Sequence, residues 1–262
     1  MAFTPDPASA WLDGLTVLVA RPAAQAEALC TLIEAAGGRA LRLPLFAVEP
    51  VADRDAAAAA LATASAFDYW LFTSTNAVDH AARLCPPPWP TLAAVGAVTA
   101  AALTTLTGQT VLTPPTGDGA AALLAHPSLQ QGQGRRALIV TGEQTLPILE
   151  AGLAARGMAV TVLPVYRRVA VDHPPAAVAA LLQQADVAVI PSGEALQRLC
   201  ALTPPEARAR LAALQLAVPS PRVIETARTL GFSAEPLLPA RVSDAAYLDV
   251  LRRHARHRTP HA

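Results

Sequence analysis

The sequence predicts an α/β protein built from two similar domains, each a doubly wound parallel sheet. Two observations carry this. Short apolar runs alternate with helical patterns along the chain, and the second half repeats the first at a spacing near 120 residues. Strands alternating with helices at such distances make parallel sheets. The length, 262 residues, allows one large or two small domains at about 150 residues each.

The elements follow in order. Thr16–Ala20 (TVLVA) reads as a buried strand, and Gln25–Ala36 as a helix with Ala28, Leu29, Leu32 and Ile33 at helical spacing. Gly37-Gly38 closes that helix. Ala40–Val48 reads as a second strand interrupted by Pro44. Next come strand Tyr69–Thr73, helix Asn76–Leu84, strand Leu92–Val95, helix Thr99–Thr107 with Gly108 as its stop, and a short strand at Val111-Leu112. Helix Gly119–Ala125, strand Ala137–Thr141, helix Thr145–Arg156 stopped by Gly157, and strand Val160–Arg168 complete the middle. The last third reads as helix Val178–Gln184, strand Val187–Ile190, helix Glu194–Ala201, strand Leu216–Pro219, helix Val223–Leu230 stopped by Gly231, and helix Ala245–His254. The closing RRHARHRTPHA, with His254, His257 and His261, reads as a disordered polar tail rather than a metal site.

The duplication is specific. VLVARP at Val17–Pro22 resembles LIVTGE at Leu138–Glu143; Gly37 and Leu43-Pro44 recur as Gly157 and Leu163-Pro164. Phe67–Val78 resembles Ala185–Leu196, with Ser74 falling on Ser192. Ala94–Gly108 resembles Val218–Gly231, and Gly119–Leu124 pairs with Ser243–Leu248. Five matches in one order, at spacings of 118 to 124, point to two related domains. Two such domains facing each other are expected to form a cleft.

Composition narrows the function. Hydrophobic residues make up 53% and charged residues 15%, which excludes compositional disorder. Acidic and basic residues balance at 20 each, which argues against a coat for nucleic acid or anionic membrane. Every basic residue is arginine, so Schiff-base, lysine-base and P-loop lysine chemistry are excluded. No GxGxxG, GxxxxGK or GxSxG occurs. Cys30, Cys85 and Cys200 offer neither zinc nor disulfide spacing and read as free thiols. The first 14 residues carry Asp6 and Asp13 and no basic stretch, unlike a signal peptide. The longest uncharged apolar stretches, such as Leu92–Leu106, are Ala/Thr-rich and shorter than the roughly 20 residues of a membrane span. A cytoplasmic setting is expected.

At four places a strand ends in small or polar residues and a helix begins: Thr73–Asn76, Val95-Gly96, Thr141–Glu143 and Pro191–Gly193. In doubly wound sheets ligands bind at these carboxyl ends, where helix N-termini offer N–H donors to anions. Each turn alone is explained as well by helix capping. Tyr166, in LPVYRRV beside Arg167 and Arg168, is a candidate proton donor next to carboxylate binders; by its residues alone the segment also fits a packed strand end with solvated arginines.

VLVARPAAQAEAL, LPLFAVEP, FTSTNAV, VGAVTAAAL, LIVTGEQTLPILEAGLAARGMAVTVLPVYRRV and SPRVIETARTLGF, in this order, resemble the uroporphyrinogen-III synthase family, from about Thr16 to Arg252. The resemblance implies two flavodoxin-like domains, 1–44 plus 170–262 and 45–169, joined by two extended crossing linkers near 43–50 and 163–171. It implies cofactor-free dehydrating closure of hydroxymethylbilane, a linear polycarboxylate tetrapyrrole, to uroporphyrinogen III by a cytoplasmic monomer that needs no metal and touches neighbouring pathway enzymes at most transiently. Tyr166 then matches the family's tyrosine, the acid for the departing hydroxyl. Substrate contacts are expected at Arg21, Ser74, Thr75, Asn76, Ala77, Gly96, Thr99, Gly142, Glu143, Arg167, Ser192, Gly193, Ser220 and Arg222. The second half departs from the pattern: Ser220 and Val223 stand where the first half has Gly96 and Thr99, and Pro191 where it has Thr73. A non-catalytic two-lobed binder of small anions fits the same architecture. A two-domain glycosyl or phosphoryl transferase lacks its nucleotide and metal signatures.

Overall fold

A computed structural model describes residues 11–258 apart from 13 and 146. The chain opens with β1 (Thr16–Val19), α1 (Ala23–Ala35), β2 (Arg39–Arg42), β3 (Phe46–Pro50), α2 (Arg54–Ala62), β4 (Tyr69–Phe72), α3 (Thr75–Leu84), β5 (Thr91–Ala94), α4 (Ala97–Thr107) and β6 (Val111–Leu112). It continues with α5 (Ala120–Leu123), β7 (Arg136–Gly142), α6 (Ile148–Ala154), β8 (Ala159–Ala170), α7 (Pro175–Gln184), β9 (Val187–Val189), α8 (Gly193–Leu202), α9 (Arg208–Ala212), β10 (Gln215–Ala217), α10 (Pro221–Thr229) and α11 (Asp244–Arg258).

Two compact units result. Unit 1 runs through Ala47 and resumes at Ala170; unit 2 is Val48–Val169. The sheet of unit 1 has the order β10-β9-β1-β2, and that of unit 2 β3-β8-β7-β4-β5-β6. Every pairing within β10-β9-β1-β2 and β8-β7-β4-β5-β6 is parallel. The duplication is visible as topology. Replacing β10, β9, β1 and β2 by their sequence counterparts β5, β4, β7 and β8 turns the first order into the middle of the second. Unit 2 adds β3 and β6 at its edges.

The inner strands β1, β4, β7 and β9 are mostly apolar because both sheet faces are covered there. In β1, Leu18 packs into one core while Val17 and Val19 enter another. In β4, Trp70 and Phe72 face one side and Leu71 the other. Trp89 stacks on both rings of the first side, with centroids 5.4 Å from Trp70 and 5.3 Å from Phe72. The indole N–H groups of that cluster are satisfied: Trp70 donates to the Ala64 carbonyl and Trp89 to that of Cys85.

The structure corrects the sequence reading at four points. The strand expected over Ala40–Val48 is two strands in different sheets, because Pro44 has no N–H for a ladder. The helix expected from Thr145 begins at Ile148, with Pro147 as its N-cap; a residue before proline is pushed out of the helical region. Helix α2 was not foreseen, since an alanine run shows no periodicity; its signal was Asp53, whose carboxylate caps Ala56 N–H at 2.9 Å. Finally, the helix expected to end at His254 runs on to Arg258, so the part of the polar stretch that holds His257 is helical rather than disordered. His261 lies outside the described residues, as do Asp6 and Asp13. Among the described residues no helix is long and apolar enough to cross a membrane. The cysteines are free, with Cys30 buried and Cys85 and Cys200 half-buried.

Replacing Trp89 by alanine removes the ring that joins Trp70 and Phe72. A loss of about 3–5 kcal/mol is expected. Chemical denaturation followed by circular dichroism measures it, with exposed Val98→Ala (Val98 is 72% exposed) changing stability by less than about 0.5 kcal/mol.

Candidate active site

In unit 2 the connections leave β4 toward β5 on one side and leave β7 toward β8 on the other. The crevice where they diverge, at the carboxyl ends of β4 and β7, is where open α/β sheets bind ligands. Thr73 and Thr141 close it from below: Thr73 Oγ1 donates to Thr141 Oγ1 at 2.8 Å. Ser74 then caps α3, its Oγ accepting from Ala77 N–H at 3.1 Å. Thr75 and Asn76 supply the first backbone N–H groups of that helix, and its positive dipole end faces out of the turn.

Tyr166 reaches the same place through a flaw in the sheet. Along β7 and β8 the partners run in step up to Thr141 with Pro164, but Gly142 then pairs with Tyr166 and skips Val165. Pro164 lacks the N–H that a regular ladder needs there. The extra residue is a bulge, the usual device for re-aiming a side chain. It lays the phenol ring over Gly142, where an added Cβ would stand 2.7 Å from Cζ and 3.0 Å from the hydroxyl oxygen. Glu143 N–H donates to the Tyr166 carbonyl at 3.0 Å, which fixes the backbone on the other side. The Tyr166 hydroxyl lies 3.2 Å from Ser74 Oγ. Since Ser74 already accepts from Ala77, its proton can point to Tyr166, leaving the phenolic O–H for a ligand. His80, in the second turn of the same helix, packs its ring against Tyr166 at 5.7 Å between centroids. Burial lowers the pKa of His80, and the positive charges of Arg83 and Arg54 add to that effect against Asp79; the ring is held neutral at neutral pH.

The other expected contacts sit as follows. Gly96 caps α4, but the Asp118 carboxylate stands at that helix end and accepts from Ala97 N–H at 3.2 Å. Thr99 is buried at 6% exposure. Arg167 is paired with Glu49 on β3 at 2.9 Å. In unit 1, Arg21 is tied to Asp244 at 2.5 Å and lies over the Tyr247 ring, pinning α11 to the turn after β1. Ser192 caps α8 by accepting from Ala195 N–H, and Ser220 caps α10 without a side-chain bond. These two helix starts, with Gly193 and the exposed Arg222, line a hollow of about 480 Å³. So the predicted residues gather in two groups: Ser74, Thr75, Asn76, Ala77, Gly142, Glu143 and Tyr166 in unit 2, and Ser192, Gly193, Ser220 and Arg222 in unit 1.

A family model described as uroporphyrinogen-III synthase HemD matches residues 27–239. The chain belongs to the uroporphyrinogen-III synthase family. It is 33% identical over 248 residues to uroporphyrinogen-III synthase of Escherichia coli, covering 91% of this chain and 99% of the relative. Against the enzyme of Salmonella typhimurium the identity is 35% over 250 residues, with the same coverage. A solved mutant uroporphyrinogen III synthase from Thermus thermophilus shares the fold, with a TM-score of 0.60 at 24% identity over 94% of this chain and all of that one. The family is one of lyases in porphyrin biosynthesis.

Against that family assignment, three features of the site were not foreseen from sequence: the Thr73–Thr141 bond, Asp118 at the start of α4, and His80 under Tyr166. Only the last left a trace. Asn76, His80 and Arg83 recur at helical spacing on one stripe of α3. The duplicate supplies a contrast. Phe46 occupies the position in unit 1 that Tyr166 has in unit 2, and it is buried without a hydroxyl.

Gly142→Ala is expected to keep the fold and displace the Tyr166 ring, lowering turnover about tenfold or more. In the Tyr166→Phe background the same change should add little, a non-additivity that a double-mutant cycle in steady-state kinetics reads directly.

Proposed function

We propose that the chain converts hydroxymethylbilane to uroporphyrinogen III, with Tyr166 as the proton donor to the departing hydroxyl. The observation that carries this is the placement of the Tyr166 hydroxyl at the start of α3, beside Ser74 and over Gly142. The phenol gives its proton to the hydroxymethyl oxygen of the terminal pyrrole as that C–O bond breaks, and water leaves. The pyrrole nitrogen supplies the electron pair, so an azafulvene remains. The last ring attacks the new exocyclic carbon through its substituted α-carbon and forms a spiro-pyrrolenine. Its older methylene bond then breaks, and the freed carbon is captured by the ring's unsubstituted α-carbon. Loss of the proton there restores the pyrrole and completes the inversion.

The substrate carries the reactive electrons, so the protein's task is positioning and charge. Ser74 donating to the phenol oxygen stabilises the phenolate that forms, and the α3 N-terminus acts in the same sense. The starts of α8 and α10, with Arg222, supply N–H groups and a guanidinium for carboxylate arms of the substrate. The reaction as written draws on these groups alone. We place the enzyme in the cytoplasm as a monomer.

Incubation with hydroxymethylbilane made in situ, followed by separation of the type I and type III isomers, tests the reading. Wild type should give type III; product no different from spontaneous closure would refute it. Tyr166→Phe should lower kcat by about 10²-fold or more while the remaining product stays mainly type III. Full activity in Tyr166→Phe with loss in Tyr166→Ala would make the residue a packing element.

A further inference from the structure

Behind Tyr166, unit 2 has a hollow of about 130 Å³, lined by Pro50, Arg54, His80, Arg83, Leu84 and Val165. Its walls come from four elements: the end of β3, the start of α2, the middle of α3, and β8 at the bulge residue. Val165 forms an apolar floor with no exposure. The rim is basic. Arg54 and Arg83 come from different helices and converge on this opening, and among the described residues neither guanidinium makes a hydrogen bond or ion pair. Six other arginines are committed elsewhere: Arg21, Arg42, Arg135, Arg167, Arg198 and Arg228 all hold carboxylates of their own unit. The field of the two rim arginines is felt inside the hollow, since both act against protonation of His80, with Asp79 as the opposing charge.

We propose that this hollow receives one carboxylate arm of the substrate, held by Arg54 and Arg83 with His80 alongside. The assignment rests on the proposed reaction. At about 30 Å³ per water-sized group, the volume admits about four such groups, the bulk of a short acid side arm rather than a pyrrole ring. Two forked guanidiniums on an apolar floor match a carboxylate better than a neutral group. The position adds a reason for the hollow to matter. Val165 is the residue that the bulge inserts next to Tyr166, and His80 touches the phenol ring on one side and the hollow on the other. An acid arm seated here therefore anchors the substrate within one side chain of the proton donor. His80 is a positioning residue: it links the arm to the ring without touching the reacting atoms.

The test is steady-state kinetics of Arg54→Gln, Arg83→Gln and the double variant on hydroxymethylbilane, with isomer analysis and thermal midpoints. Neutral glutamine keeps much of the side chain, so folding should not change. Each single variant should raise KM about tenfold, the double variant more, with kcat and the type III fraction kept within about twofold. Inorganic phosphate should compete with substrate in wild type and lose that effect in the double variant. Unchanged KM in all three variants, with wild type making type III, would overturn the proposal while leaving the reaction intact. So would phosphate binding at the hollow that leaves KM untouched, which would mark a site for free anions. A fall in kcat at unchanged KM would also contradict it, because the arginines would then act on the chemical step. If wild type makes no type III product, the proposed reaction itself fails.

Discussion

The approach of the Tyr166 ring to the backbone of Gly142 is the constraint from which the rest of the site follows. A parallel strand in register would have put Val165 opposite Gly142 and sent the phenol to the other face. Pro164 breaks the ladder, one residue is gained, and the tyrosine arrives over a backbone position whose missing side chain leaves it room. The Glu143–Tyr166 backbone bond and the Ser74 hydroxyl then hold the ring and its oxygen from two sides. A bulge, a glycine and a helix cap, each ordinary alone, together bring the hydroxyl of a strand residue to the carboxyl edge of the sheet, where the proposed reaction needs a proton donor.

Duplication explains why only one unit has this device. Both units share the strand order and the serine-capped helix at the same point, Ser74 in one and Ser192 in the other. At the tyrosine position unit 1 has Phe46, and at the Gly142 position the turn after β1 has Arg21, which is spent on Asp244 and Tyr247. The same architecture is used for packing there and, in unit 2, for the placement on which the proposed chemistry rests. Helix starts follow a similar division. Asp118 occupies that of α4, whereas α8 and α10 open onto a hollow with Arg222 on its rim.

The alternation of strands and helices was legible because buried parallel strands read as unbroken apolar runs, as TVLV and YWLF do. The duplication was legible because its landmarks, a glycine after a helix and Leu-Pro in a strand, serve local backbone needs. What sequence could not give were facts of tertiary geometry. The alanine run of α2 has no periodicity to read. Asp118 is 21 residues from the N–H it caps, too far for a local signal. The bulge at Val165 depends on which strand lies beside β8, and His80 becomes part of the site only because the Tyr166 ring reaches it from β8. Tyr166 itself was reached through resemblance, since its residues alone also fitted a packed strand end.

The central claim is that acidity at one oxygen, and not only the shape of the ring, sets the rate of the chemical step. Fluorinated tyrosines placed at position 166 vary phenol acidity while keeping the ring over Gly142. Single-turnover consumption of hydroxymethylbilane by such a series measures the step directly. The account predicts that the rate changes systematically with the acidity of the phenol while the product remains type III. A rate that is flat across the series, and equal to that of wild type, would contradict it.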